Sequence, residues 1–263
     1  MMLKLYHGRT SVCSVKARLA LAEKGVEWES QLLTLQGDQF DPIYVKLNPG
    51  AVVPTLVHDG RSIIESTVIM HYVDDAFPGP SLMPEDAASR AKVHLTTRLM
   101  DEYVHNSCTA LTFATANRSR FQNMKPGELE ADLARSPSRA RAEAKRQADA
   151  HGLDAPLMVD ALRNHETLLD QIDAAMEEGP YIAGSSYSLA DVAAIPYVWR
   201  LEKLRLSRMW DKRPGVAAWL DHVRQRPSYT AAVENWVTQA DLDRYSSFHP
   251  DPWPKASAIL YGR

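Results

Sequence analysis

With 263 residues, 45% of them apolar, the chain is long enough for two modest domains and apolar enough for well-formed cores. Its net charge of −3 gives no positive field for nucleic acid or an anionic membrane surface. Two cysteines, Cys13 and Cys108, are too few for a disulfide framework, and no apolar run approaches membrane-spanning length, so a soluble protein of the reducing cytoplasm is expected.

Residues 3–7 alternate like a short strand. A helix is predicted over 12–24, with Val15, Leu19 and Ala22 on its apolar side and Gly25 as its stop. Residues 26–33 read as a second strand, parallel to the first through a right-handed crossover. Residues 34–52 read as loop with a short helix. Asp59-Gly60 then joins strands 55–58 and 61–64 in a hairpin, and a helix runs over 66–76. Pro78, Pro80 and Pro84 mark a linker. Beyond it strand signals vanish, and helices are expected at 87–116, 154–177, 188–204, 214–224 and 227–237. Residues 117–153 are polar and poorly periodic, one helix with a long loop. Their basic run (Arg135, Arg139, Arg141, Lys145, Arg146) reads as a solvated face. The end, with Pro250, Pro252 and Pro254, reads as an extended tail. The division is therefore 1–80, an α/β domain; 87–245, an all-helical domain; and 246–263, a proline-rich tail.

Two motifs carry the chemistry. Thr10-Ser11-Val12-Cys13-Ser14-Val15-Lys16 lies between the first strand and the first helix, where unpaired N–H groups and the helix dipole stabilise an anion. There a cysteine pKa falls, or a serine hydroxyl donates to a bound thiolate. Val53-Pro54 opens an apolar strand, and Glu65-Ser66 opens a helix whose N–H groups suit a carboxylate, with a side-chain acid to take an ammonium. Together they suit a small peptide-like ligand with an α-amino acid end. Ser188 and Asp191 read as a capping box, with Asp191 structural. The nine histidines form no ligand pair and no Cys-x-x-Cys is present, so no metal is expected.

These motifs resemble the glutathione transferases, over most of the chain to about residue 237. The resemblance implies a thioredoxin-like N-terminal domain, an all-α C-terminal bundle, glutathione as co-substrate and a two-fold homodimer. It implies that Val53 pairs with the cysteinyl part of glutathione, that Pro54 is cis, and that Glu65 and Ser66 hold the γ-glutamyl end. Gln39 or Lys46 would meet the glycyl carboxylate. Ser-Val-Cys-Ser is similar to the Ser-Ser-Cys-Ser stretch of zeta-class enzymes, whose activating serine falls on Ser11. The β-class cysteine falls on Cys13, and the Asn-Ser pair of bacterial β-etherases of lignin catabolism on Cys13-Ser14. The candidates for the sulfur contact stand in the order Ser11, Ser14, Cys13. Tyr103, Asn106, Phe113 and Tyr197 are expected to wall the electrophile site. Length, Ser66-Thr67-Val68-Ile69 and the 117–153 segment look most like the β-etherase branch, in which glutathione thiolate attacks the β-carbon of an aryl ether and expels a phenol. The expected activity is therefore serine-type transfer of glutathione to an apolar electrophile, an aryl ether among them. A Cys13-dependent thiol-disulfide oxidoreductase and a non-catalytic glutathione-binding or interaction module are the alternatives.

Overall fold

A computed structural model describes residues 2–262. Strands β1 (Leu3–His7), β2 (Glu29–Leu32), β3 (Thr55–His58) and β4 (Arg61–Ile63) form one sheet in the order β2-β1-β3-β4. The β1–β2 pair is parallel and the other two are antiparallel. Strand β2 starts three residues later than its apolar run suggests. Helix α1 (Val12–Glu23) ends with Gly25 at φ 64°; Gly25 N–H donates to the Ala22 carbonyl and Val26 N–H to that of Leu21. This paired closure uses Val26 to satisfy the helix end, so it cannot join the sheet. The hairpin turn has positive φ at both Asp59 (47°) and Gly60 (81°), the combination whose twist matches that of the strands.

Three anchors shape the approach to the site. Asn48, on α2 (Pro42–Leu47) as its C-cap, donates through Nδ2 to the Val52 carbonyl and Thr55 Oγ1 at 2.9 and 3.0 Å, fixing the bend around Val53. The Val53–Pro54 peptide is cis. Arg18 is buried and donates to His7 Nδ1 and to the carbonyls of Gly8, Arg9 and Ala232, so it sets the path of the loop before α1. Burial and the adjacent Arg18 push His7 down to about 3, so its ring is neutral. At the other end of the domain, Lys24 and Asp74 form a buried ion pair, and Asp74 also accepts from Leu82 and Met83 N–H to hold the linker. Asp74 lies on α3 (Ser66–Ala76).

The remainder is helical: α4 (Ala87–Leu99), α5 (His105–Ala114), α6 (Arg118–Gln122), α7 (Glu128–Ala134), α8 (Arg139–His151), α9 (Leu157–Ala175), α10 (Leu189–Lys203), α11 (Pro214–Arg224), α12 (Pro227–Ala232), α13 (Gln239–Ser247) and α14 (Trp253–Tyr261). The predicted helix over 87–116 is broken by a π-turn at Met100–Val104. The segment 117–153 holds three helices instead of one, and its polarity hides them because α8 buries only Ala142 and Ala148 among its residues. The predicted 227–237 helix stops at Ala232 and a 3₁₀ turn follows, Glu234–Trp236. The tail is not extended: Pro252 and Pro254 lie at the start of α14, where a missing N–H costs nothing, and Ala256 and Leu260 pack inward. Helix α10 is buried along almost its whole length and forms the centre of the helical core with Trp219 of α11. Burying each large side chain of this kind contributes roughly 1.5–3 kcal/mol. Among the described residues, no helix is long and apolar enough to cross a membrane.

Candidate functional site

Two helix starts meet across the first domain. Ser11 caps α1 and its Oγ accepts the Ser14 N–H at 3.3 Å, which leaves the hydroxyl proton free to donate. Helix α3 begins without any side-chain cap, so its first N–H groups stay available for an anion. Glu65 just before it has φ 66°, a conformation that costs a non-glycine residue of order 1–3 kcal/mol. It stands exposed, while Ser66 is buried. Lys16, with a fully buried side chain, donates to Thr67 Oγ1 at 3.0 Å and to Asp101 at 3.2 Å. One ammonium thus ties the first turns of α1 and α3 to the π-turn.

The three hydroxyl and thiol candidates occupy different surroundings. Ser14 is enclosed and its Oγ accepts the Gly8 N–H at 3.0 Å. Ser11 is half-exposed. It packs on Gly8, where a Cβ would come within 3.0 Å of Leu35 Cδ1, 3.3 Å of Ser11 Cβ and 3.5 Å of Val53 Cγ2, so a side chain at position 8 would crowd Leu35 first and Ser11 next. Cys13, half-buried, points to the helical domain, with Sγ 3.5 Å from His105 Nδ1. The Tyr197 hydroxyl lies 3.3 Å from the same nitrogen. Burial pushes the Cys13 thiol up, but the charges of His105 and Lys16 and hydrogen bonds from His105 and Ser66 outweigh it and bring the pKa to about 6. Cys108 has no such neighbours in number; burial raises it to about 11. Both cysteines are free thiols.

A direct consequence is selective alkylation. Iodoacetamide should modify Cys13 and spare Cys108. The rate should rise as pH passes through about 6, because the thiolate is the form above that value, and level off by neutrality. His105→Ala should move the midpoint upward. A midpoint near that of a free thiol in the unsubstituted protein would refute the arrangement.

The other predicted residues lie on separate elements of the two domains. Gln39 Oε1 accepts the Gly37 N–H at 3.0 Å in the 3₁₀ turn Asp38–Phe40, and Lys46 is exposed on α2. Tyr197 is fully buried beneath His105. Tyr103 is 50% exposed in the π-turn, and Asn106 is exposed at the start of α5. Phe113 is buried two turns further along α5, beside Phe121, Arg141 and Lys145. Sequence reasoning missed His105 and Gly8, and placed Lys16 in the reactive segment without a role. A lone histidine and a lysine inside an apolar stretch carry no periodic signal, although the placement of Lys16 one turn past Ser11-Val12-Cys13 was visible. It also missed that Arg141 and Lys145 turn inward from the basic run, and that Arg135 stacks on Phe40 at 4.3 Å. Arg135, Arg139 and Arg146 are the exposed members of that run. Among the described residues, no group of three or more His, Cys, Asp or Glu is placed to hold a metal ion.

Comparison with known proteins gives this geometry its family. Residues 10–76 match the glutathione S-transferase N-terminal domain, and residues 139–227 match the C-terminal domain. LigF of Sphingobium sp. (strain NBRC 103272 / SYK-6) is 28% identical over 241 residues, covering 89% of this chain and 94% of LigF. The crystal structure of β-etherase LigF superposes with a TM-score of 0.80, covering 89% of this chain and 100% of that one. The tetrachloro-p-hydroquinone reductive dehalogenase of Sphingobium chlorophenolicum is 29% identical over 246 residues, 88% of this chain and 96% of the enzyme. Glutathione S-transferase Z1 of Arabidopsis thaliana is 42% identical over 90 residues, 34% of this chain and 41% of that protein. With both domains of one family matched in order, and a whole-length structural counterpart, the chain belongs to the glutathione S-transferase family.

Proposed function

We propose that the protein transfers glutathione to an apolar electrophile and that Ser11 donates the hydrogen bond that holds the glutathione sulfur as a thiolate. The observation that carries this reading is the pairing of two helix starts: Ser11 Oγ accepts the Ser14 N–H and keeps its own proton, and Lys16 ties α1 to Thr67 at the uncapped start of α3. In this reading Glu65 takes the γ-glutamyl ammonium, and Ser66 with the α3 N–H groups takes its carboxylate. Val53 pairs with the cysteinyl backbone, and Gln39 meets the glycyl end. The thiolate then points into the cleft between the domains, and a hydroxyl donor lowers its pKa without forming a bond to it. Ser14, enclosed and bonded to Gly8, holds the loop in place.

The electrophile belongs to the class that thiolates displace. Aryl ethers and halogenated aromatics are the candidates suggested by the similarity to LigF and to the reductive dehalogenase. Val68 on α3 and Leu95 on α4 are 53% and 63% exposed. The two helices are neighbours through the stacked rings of His71 and His94. This apolar surface supports a homodimer formed through α3 and α4.

A second reading has its own support. Cys13, with its pKa brought to about 6, is a thiolate at neutrality and would attack the glutathione sulfur of a glutathionylated disulfide, forming a Cys13–glutathione mixed disulfide as the other sulfur leaves as a thiolate. A glutathione thiolate would then attack the mixed disulfide, releasing oxidised glutathione and restoring the Cys13 thiolate.

Binding is tested first. Calorimetry should show glutathione binding to the unsubstituted protein, and Glu65→Gln should weaken it about tenfold, the cost of losing one charged hydrogen bond. Absence of binding to the unsubstituted protein would sink both readings.

A further inference from the structure

Arg200, near the C-terminal end of α10, is buried and is paired with no carboxylate among the described residues. Its two hydrogen bonds go to neutral groups. Nη1 donates to Thr112 Oγ1 of α5 at 2.9 Å, and Nη2 donates to the carbonyl of Thr10. Its Nε–H is buried without an acceptor among the described residues. A buried cation with no counter-charge costs folding free energy, and an apolar side chain of similar volume commonly does as well or better. Packing stability therefore does not account for a guanidinium at this position.

What Arg200 grips is the peptide that leads into Ser11. The carbonyl of that peptide is Thr10's, and its N–H, on Ser11, donates to the Gly8 carbonyl at 3.4 Å. Arg18 holds the Gly8 carbonyl in turn, at 3.1 Å. The Thr10 side chain is also held, because its Oγ1 accepts from Arg244 of α13 at 3.3 Å. On the other side of Ser11, its own carbonyl accepts the Val15 N–H at 3.0 Å in the first turn of α1. A peptide unit is planar, so holding the units on both sides of a residue fixes its φ and ψ and the direction in which its side chain leaves the chain. Of the groups that do this for Ser11, Arg200 and Arg244 come from the helical domain.

We propose that Arg200 is a positioning residue: by gripping the Thr10–Ser11 peptide from α10, it aims the Ser11 hydroxyl at the glutathione sulfur. The proposal deepens the transferase reading and rests on its assignment of Ser11. It makes the helical domain a participant in activating the thiol, through a link that runs from Thr112 on α5 by way of Arg200 to the loop.

The test is a double-mutant cycle read on the full-length protein. The thiolate absorbance of bound glutathione is titrated against pH in the unsubstituted protein, Ser11→Gly, Arg200→Met and the double variant. Calorimetric binding of S-methylglutathione, which has no thiol to ionise, is measured alongside. Methionine keeps an apolar stem beside Trp199 and Tyr245 and removes both hydrogen bonds. Arg200→Met should raise the midpoint by about one pH unit and lower turnover about tenfold, the effect of a misaimed donor. Binding of S-methylglutathione should stay within about twofold, and in the Ser11→Gly background Arg200→Met should add nothing. An unmoved midpoint, or the same shift in both backgrounds as a distant charge would give, overturns the proposal and leaves the Ser11 reading standing. Loss of S-methylglutathione binding in step with the shift overturns it as well, since that is a general loosening of the first domain. A midpoint unmoved by Ser11→Gly removes the serine reading and the proposal with it. If Arg200→Met does not fold, Thr112→Val takes its place in the cycle. Removing that anchor should give a smaller upward shift that vanishes with Ser11→Gly, and no shift would overturn the proposal.

Discussion

Glutathione-dependent turnover should fall about 10²-fold in Ser11→Gly, while the protein keeps nearly all its stability. The size follows from the loss of one hydrogen-bond donor to a developing or stabilised anion in a partly desolvated site. Glycine is the informative replacement because Ser11 is also the N-cap of α1. Alanine at a cap costs about 1 kcal/mol, whereas glycine costs only a few tenths, so the hydroxyl is removed with the helix start left in place. The loss should appear in the thiolate absorbance of bound glutathione, whose titration moves to higher pH. Cys13→Ala should retain most of the activity on an aryl ether or chloro-dinitrobenzene. The opposite pattern, with Ser11→Gly active and Cys13→Ala inert toward a disulfide substrate, would move the protein to the thiol-disulfide reading.

Asp191→Ala should be the most damaging single change to stability, costing about 4 kcal/mol or more. The carboxylate is fully buried and accepts from Ile182 N–H at 3.0 Å, Ser188 N–H at 2.9 Å, the Ser188 hydroxyl at 3.2 Å and Trp219 Nε1 at 2.8 Å. Removing it strands several buried donors at about 1–3 kcal/mol each. In a chain of this size the melting temperature should drop by roughly 10 °C. Burial raises the Asp191 pKa above the ordinary carboxylate value even against these hydrogen bonds. Its charged form is therefore costly in itself. Asp191→Asn, which keeps one acceptor without the charge, should lose distinctly less than Asp191→Ala. Equal melting temperatures for the two variants would mean that the hydrogen bonds do not carry the effect.

Much of this was legible in the sequence where local chemistry decides. The hairpin at Asp59-Gly60, the glycine stop after α1 and the Ser188–Asp191 box each follow from one residue's backbone or side-chain preference, and each is present. The α/β and all-helical halves followed from the change in periodicity near residue 84. The helices of 117–153 were not legible, because a helix packed on one narrow side shows few apolar residues. The proline-rich end misled for a related reason: proline forbids a helix interior but favours a helix start, and only the packing of Ala256 and Leu260 distinguishes the cases. The candidate site was legible as motifs on the first domain. Its opposite wall was not, since His105 reaches Cys13 only through tertiary placement.

The π-turn at Met100–Val104 makes chain length itself a determinant of the site. Such a turn amounts to one extra residue in an otherwise regular helix, and each helical residue carries about 100° of rotation. The wider turn takes up the extra residue within one revolution, so α5 beyond it keeps its inward side where regular winding would have put it. One residue added or removed in the regular turns of α5 would instead swing everything beyond it by about 100°, and an indel between Met100 and His105 without the π-turn to absorb it would take His105 off Cys13. Within a family that shares this frame, the bulge is the place in the wall where chain length can change by one codon while the side chains of α5 stay aimed at the site.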